Sequence, residues 1–147
     1  MQPGKPSLTQ EEIQAEVSRR LQRYENLNFL EWFAMFMGIA QVVEICLKQL
    51  AHRKYEISME NLERMTLGQV AGLLKQRGLR PDFITLLESV VQYRNHVAHS
   101  LLASQIALNS LGAGDARFEQ KMLDRGTYEL EQLLFLFEWT EEHDSWD

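Results

Sequence analysis

LNFLEWFAMFMGIAQVVEICLKQL, residues 27–50, is the most apolar stretch of the chain, and it predicts a long helix. Such a helix is apolar nearly all round, so neighbouring helices or a second subunit must cover it on more than one side. Its longest unbroken apolar run, residues 32–40, is about half the length of a membrane span. We therefore expect a core helix and no association with a membrane. Its polar positions form a narrow stripe: Asn28, Glu31, Gln41, Glu44 and Lys48.

Capping residues mark the other helices. Thr9 with Glu12 and Thr66 with Gln69 have the spacing of a capping box, which is typical of a helix start. Pro81 suits the first position of a further helix. A last helix is expected over roughly residues 115–142. Residues 52–65 are expected to form a polar linker, with a short turn of helix within it as an open alternative.

No segment of useful length alternates with period two, so the predicted fold is all-α. We expect an up-and-down bundle of four to five helices with antiparallel neighbours. Residues 1–8 are predicted to be a disordered tail and residues 9–142 a single helical domain. Residues 143–147 are predicted to be an acidic, solvated C-terminal tail.

Charge and cysteine content exclude some classes of protein. The net charge of −6 does not fit a general basic nucleic-acid binder, so any such contact requires a local basic patch. The single cysteine, Cys46, cannot form an intrachain disulfide, and the N-terminal residues lack the apolar region of a signal peptide. A cytoplasmic location is therefore expected.

VVQYRNHVAHS, residues 90–100, contains an arginine where an apolar residue is expected. On a wheel of about 100° per residue, Arg94 lies in the centre of the apolar face of the helix that begins near Pro81. A guanidinium cannot lose its charge, so Arg94 needs a carboxylate, a set of carbonyls, a subunit interface or an anionic ligand. The plain structural alternative is an internal salt bridge to Glu88 or Glu31.

Asn95 and His99 lie beside this arginine, are four residues apart and share a helix face. An arginine, an amide and a histidine suit a site that handles phosphate, because the histidine can move a proton near neutral pH. On an ideal helix Arg94 and His99 diverge by about 140°. They converge only if the helix ends or kinks near residues 96–99, or if a second subunit supplies the partner group.

RNHVAH, residues 94–99, resembles the signature of the HEPN (higher eukaryotes and prokaryotes nucleotide-binding) superfamily. That signature is an arginine, four to six residues and a histidine, with Asn, Asp or His often directly after the arginine. The motif lies late in a helix, after a long apolar helix and a helix that starts with TLGQ, residues 66–69. The resemblance covers roughly residues 25–140 in helix order and length.

This resemblance implies a metal-independent endoribonuclease, such as a toxin or a phage-defence effector, that needs no cofactor. Two motifs would face each other in a homodimer and form one composite site. Arg94 would contact the scissile phosphate, Asn95 would support the geometry and His99 would transfer a proton. The products would be a 2′,3′-cyclic phosphate and a 5′-OH. The implied partners are RNA, a second copy of the chain and an antitoxin or regulatory protein.

Several alternatives stay open at the level of sequence. Some HEPN domains only bind nucleotides or dimerise, and Leu101 stands where many HEPN toxins have a tyrosine. An unrelated helical adaptor with a structural Arg94 ion pair is a further alternative. His96 and His99 could form a metal pair with Glu88 as third ligand, although solvent-facing His96 is the plainer interpretation. Tyr93 could stack on a base or pack in the interior. Basic residues that could line an RNA path, or simply face solvent, are residues 52–54, Arg64, Lys75, Arg77 and Arg80.

Overall fold

The structure is a computed structural model that describes residues 7–101, 103, 106, 107 and 116–147. The all-α prediction is confirmed, because the secondary structure of this part of the chain contains helices and no strand. A 3-10 turn, Gln22–Tyr24, follows α1, and a π-helical turn, Val97–Leu101, follows α5. The α-helices are α1 Gln10–Leu21, α2 Phe29–Tyr55, α3 Met59–Glu63, α4 Leu67–Gln76, α5 Pro81–His96 and α6 Ala116–His143. Residues 1–6, most of the predicted N-terminal tail, lie outside the described residues.

Side-chain caps begin α1, α2, α3 and α4 at the expected kinds of residue. Thr66 Oγ1 accepts a bond from the Gln69 N–H at 3.2 Å, and Gln69 Oε1 accepts one from the Thr66 N–H at 2.9 Å. The same reciprocal box at Asn28 and Glu31 starts α2. The predicted linker begins too early, since α2 continues to Tyr55, and the short turn of helix that the prediction allowed is α3, residues 59–63.

The core lies between α2, α5 and α6, which approach closely at one glycine. A Cβ added to Gly126 would lie 3.2 Å from Tyr93 Cβ and 3.3 Å from Phe36 Cε2. α5 and α6 run antiparallel, because Ser89 bonds to Glu129 at 2.9 Å while Tyr93, one turn later, meets Gly126. The fully buried side chains of these three helices include Phe36, Leu47, Leu87, Leu123 and Leu130.

A buried carboxylate joins the N-terminal helical region to α6. Glu131 has no exposed surface, and one of its oxygens accepts bonds from Arg23 Nη2 at 2.5 Å and from Tyr24 OH at 2.7 Å. A buried carboxylate is costly unless it is paired and hydrogen-bonded, and Arg23 supplies the opposite charge. Burial and the bond to Glu131 raise the pKa of Tyr24, so its hydroxyl stays protonated and donates.

The described residues leave one face of α2 uncovered, whereas the sequence requires neighbouring helices or a second subunit to cover the helix on more than one side. An 18-residue window of α2 has a mean hydropathy of 1.6, and 28% of that window is buried. By length and composition alone, α2 is long and apolar enough to cross a membrane. Core helices and membrane spans share this length and composition. We call the uncovered surface the α2 face; its large apolar side chains, with their exposed fractions, are Leu30 60%, Met35 37%, Val42 47% and Ile45 50%.

The last residues are not the solvated tail that the acidic composition predicts. Trp146 is only 3% exposed, and its ring lies 5.0 Å from Phe83 and 5.4 Å from Phe137 between centroids. Arg80 Nη1 donates to the Ser145 carbonyl at 2.9 Å, which holds the turn after α6 against the start of α5. Burial of the large indole of Trp146 stabilises the folded chain. The acidic residues beside it stay exposed and keep their hydration, so they do not oppose this burial.

We expect Trp146→Ala to lower the free energy of unfolding by about 3 kcal/mol, because it removes a buried indole and leaves a cavity. In a domain of this size that corresponds to a fall in Tm of roughly 6–12 °C. Circular dichroism melting measures it. The control is Asp147→Ala, which removes only an exposed ion pair to Lys54. Equal Tm values for the two variants would show that the tail contributes nothing to stability.

Candidate functional site

Arg94 lies in the last turn of α5, beside Asn95. The Arg94 side chain is half-buried, and its Nη1 donates to Asn95 Oδ1 at 3.4 Å, which is long for a hydrogen bond. No carboxylate of the described residues lies within salt-bridge distance of the guanidinium. The charge is therefore only partly enclosed and has no counter-charge within this part of the chain.

The internal salt bridges that the sequence offered for Arg94 are not formed. Glu88 pairs with Lys75 of α4 at 3.3 Å, and Glu31 bonds to the Asn28 N–H at the start of α2 at 3.0 Å. Both carboxylates are thus held by groups closer along the chain or on a facing helix. Arg94 therefore forms a salt bridge with neither Glu88 nor Glu31.

The position of the N-terminus of α4 explains why an arginine on the apolar face of α5 is only half-buried. α4 runs antiparallel to α5, and a Cβ added to Gly68 would lie 3.4 Å from Val91 Cγ1. Since α4 begins at Leu67, residues of α5 beyond Val91 extend past its N-terminus. Arg94 is three residues further, about 4.5 Å along the axis, where the apolar face opens.

His99 lies in the π-helical turn that follows α5, and its side chain is exposed. The α-helical pitch ends at His96, within the region where the sequence requires a break for Arg94 and His99 to converge. A π turn bonds residues five apart, so it rotates less per residue than an α-helix and reduces the divergence of the two side chains. No hydrogen bond joins His99 to Arg94 or Asn95 among the described residues.

The supporting residues occupy different environments. Tyr93 packs against Gly126, which is an interior packing role. The prediction that His96 faces solvent is wrong, since this side chain is half-buried and its Nε2 atom is enclosed by protein. Among residues 7–101 and 116–147, no three His, Cys, Asp or Glu side chains are grouped to hold a metal ion.

The basic residues proposed for an RNA path are mostly engaged with carboxylates. Arg53 and Lys54 bind Glu141 and Asp147, and Lys75 binds Glu88. These bonds neutralise the cations of that surface and favour the alternative of solvated helix faces. The remaining pairs are Arg64 with Glu60 at 3.6 Å and Arg80 with Asp82 at 2.8 Å.

No family model matches the chain, and no match was found among the curated proteins or the solved structures. The function is therefore inferred from the chain's own residues. The features on which it rests are the half-buried guanidinium of Arg94, its neighbour Asn95, exposed His99 and the π-helical turn that separates them.

We expect Arg94→Ala to change Tm by less than about 2 °C, because no described carboxylate loses its partner. Arg20→Ala is the comparison. Arg20 bonds to Glu16 at 2.9 Å and to Glu138 at 2.6 Å, and its loss should lower Tm by about 5 °C. Thermal melting of both variants tests this, and a larger fall for Arg94→Ala would make Arg94 a structural ion pair.

Proposed function

We propose that this chain is a metal-independent endoribonuclease of the HEPN type, with a HEPN-like up-and-down bundle and a composite site in a homodimer. The observation that carries the proposal is the half-buried Arg94 without a carboxylate partner, bonded only to Asn95 in the described part of the chain. A guanidinium in such a position has donors free for a phosphate, which accepts several charge-assisted hydrogen bonds. Exposed His99 on the next turn supplies an imidazole, the side chain that most often transfers protons in catalysis.

In the proposed reaction the 2′-oxygen of one nucleotide attacks the adjacent phosphorus. The O2′–P bond forms, the P–O5′ bond breaks, the 2′-OH loses its proton and the departing 5′-oxygen gains one. Arg94 stabilises the negative charge on the non-bridging oxygens, and Asn95 keeps the guanidinium in place. His99 transfers one of the two protons, and the second copy of the chain supplies the group that transfers the other. The products are a 2′,3′-cyclic phosphate and a 5′-OH.

A second copy is part of the proposal because one chain does not bring the catalytic groups together. No hydrogen bond joins His99 to Arg94 or Asn95 within the described residues of one chain, and a two-fold axis would place the motif of one copy opposite that of the other. The α2 face provides apolar surface for such contact, since Val42 and Ile45 are about half exposed on one side of the helix. The same contact would remove these side chains from water.

A non-catalytic nucleotide-binding or dimerisation module is the second candidate. It is favoured by the separation of the groups, because Arg94 and Asn95 can hold an anion without any part played by His99. The partners proposed for the nuclease are RNA, a second copy and an antitoxin or regulatory protein. A toxin or phage-defence effector that acts in the cytoplasm is the biological role that fits this chemistry.

Purified protein in EDTA is expected to cleave RNA and to leave 2′,3′-cyclic phosphate ends. Arg94→Ala and His99→Ala should each reduce the rate at least about 100-fold, the usual contribution of a charge-stabilising or proton-transferring group. Gel analysis with end-group mapping measures this. Matched controls are Arg77→Ala and His52→Ala, which remove exposed side chains of the same kinds. Binding of RNA without cleavage would identify the binding module instead.

Breaking the α2 face should remove both dimer and activity. Val42→Asp combined with Ile45→Asp places charges on exposed apolar positions, so it should leave the single chain folded and prevent self-association. Light scattering should give the wild type twice the chain mass of 17.2 kDa and the variant one chain mass. Gln76→Asp, on exposed α4 surface, is the control. A dimer that persists in the double variant would exclude α2 from the interface.

A further inference from the structure

Most described lysines and arginines are bound by carboxylates, but two neighbouring cations of α6 are not. Lys121 and Arg125 are exposed, four residues apart on one helix face, and neither has a bond or ion pair to another described residue. Their nearest carboxylates along α6 are engaged elsewhere. The paired cations are Arg19, Arg20, Arg23, Lys48, Arg53, Lys54, Arg64, Lys75 and Arg80.

The competing bonds are specific. Glu129, four residues after Arg125, accepts from Ser89 Oγ at 2.9 Å. Asp124, three residues after Lys121, accepts from Gln120 Nε2 at 2.8 Å. Two like charges on one face repel each other by a few tenths of a kcal/mol. The charged donors of Lys121 and Arg125 therefore have no described partner, on an exposed surface of α6 that still carries the charges of Asp124 and Glu129.

This surface lies level with the candidate site. Because α5 and α6 are antiparallel and Tyr93 meets Gly126, Arg125 is level with Arg94. Lys121 lies one turn before Arg125 in α6, a distance of about 6 Å. Because the helices are antiparallel, this places Lys121 level with the π-helical turn that carries His99.

The two cations also lie on the same side of the α5–α6 seam as the histidines. The Ser89–Glu129 bond marks one side of that seam. At about 100° per residue, His96 of α5 lies within about 20° of Ser89, and Arg125 of α6 lies about 40° from Glu129. Arg94 comes from the opposite side of α5 and reaches Asn95. An extended ligand that crosses the C-terminal end of α5 would pass from Arg94 over His99 to α6.

We propose that Lys121 and Arg125 anchor the phosphates of single-stranded RNA as it leaves the Arg94, Asn95 and His99 site. This inference rests on the proposed function for the identity of the polyanion. A single strand is favoured, because in-line attack by the 2′-OH requires a nucleotide free of the A-form stack. Two flexible cations contact phosphates rather than base edges, so binding is independent of base sequence.

The test measures binding of a fluorescein-labelled 12-nucleotide RNA of mixed sequence to the full chain carrying His99→Ala, in EDTA, by anisotropy at several salt concentrations. Adding Lys121→Ala and Arg125→Ala should weaken binding and reduce the slope of log K against log salt by roughly 1.4, about 0.7 for each lost phosphate contact. Arg77→Ala in the same background is the matched control, since Arg77 is an exposed, unpaired arginine on another described helix end. Its slope should equal that of the parent.

Equal slopes for the Lys121/Arg125 variant and the Arg77 control would overturn the anchor while leaving the nuclease proposal intact. Undetectable binding by the His99→Ala parent at low salt would also overturn it, and cleavage by the wild type in that buffer shows whether the nuclease survives. Equal affinity for a duplex of the same sequence would refute the single-strand preference. In a further outcome, only the variant with Lys121→Ala and Arg125→Ala loses salt-dependent binding, and the wild type does not cleave RNA. That outcome would support the anchor and reject the nuclease.

Discussion

The contact at Gly126 is the constraint on which the arrangement of α2, α5 and α6 depends. Tyr93 and Phe36 come so close that a Cβ at this position would lie 3.3 Å from both rings and 3.2 Å from Tyr93 Cβ. An interior is packed as densely as an organic crystal, so this contact leaves little freedom for the helices to slide. It sets which residues of α5 and α6 are level and therefore where Arg94 lies relative to Arg125.

Charge pairing accounts for much of the remaining surface. Buried Glu131 is compensated by Arg23 and Tyr24, and the exposed cations of α1 to α4 mostly lie beside carboxylates. Against this background an arginine without a counter-charge is informative, because nothing in the described chain requires it there. The half-buried guanidinium of Arg94 and the cations of α6 without a described partner are the groups on which the proposed binding of an outside anion rests.

The candidate site could be predicted in its residues and only partly in its geometry. The spacing of Arg94, Asn95 and His99 was readable, as was the need for a break in the helix near residues 96–99. The form of the break, a π-helical turn, depends on bonds that no periodicity shows. Lys121 and Arg125 were missed, because Asp124 and Glu129 follow them at salt-bridge spacing and predict pairing. In the structure these carboxylates instead accept hydrogen bonds from Gln120 and Ser89.

The sequence by itself determined the all-α class and the residues that begin the helices, because periodicity and capping are local properties of the chain. It also placed Arg94 on an apolar helix face. Only the tertiary structure decided that the N-terminus of α4 stops short of the level of Arg94 and that Trp146 packs on Phe83. It also decided that the described residues leave one side of α2 uncovered. These features depend on which surfaces meet across long sequence separations, where burial of large apolar groups outweighs local preference.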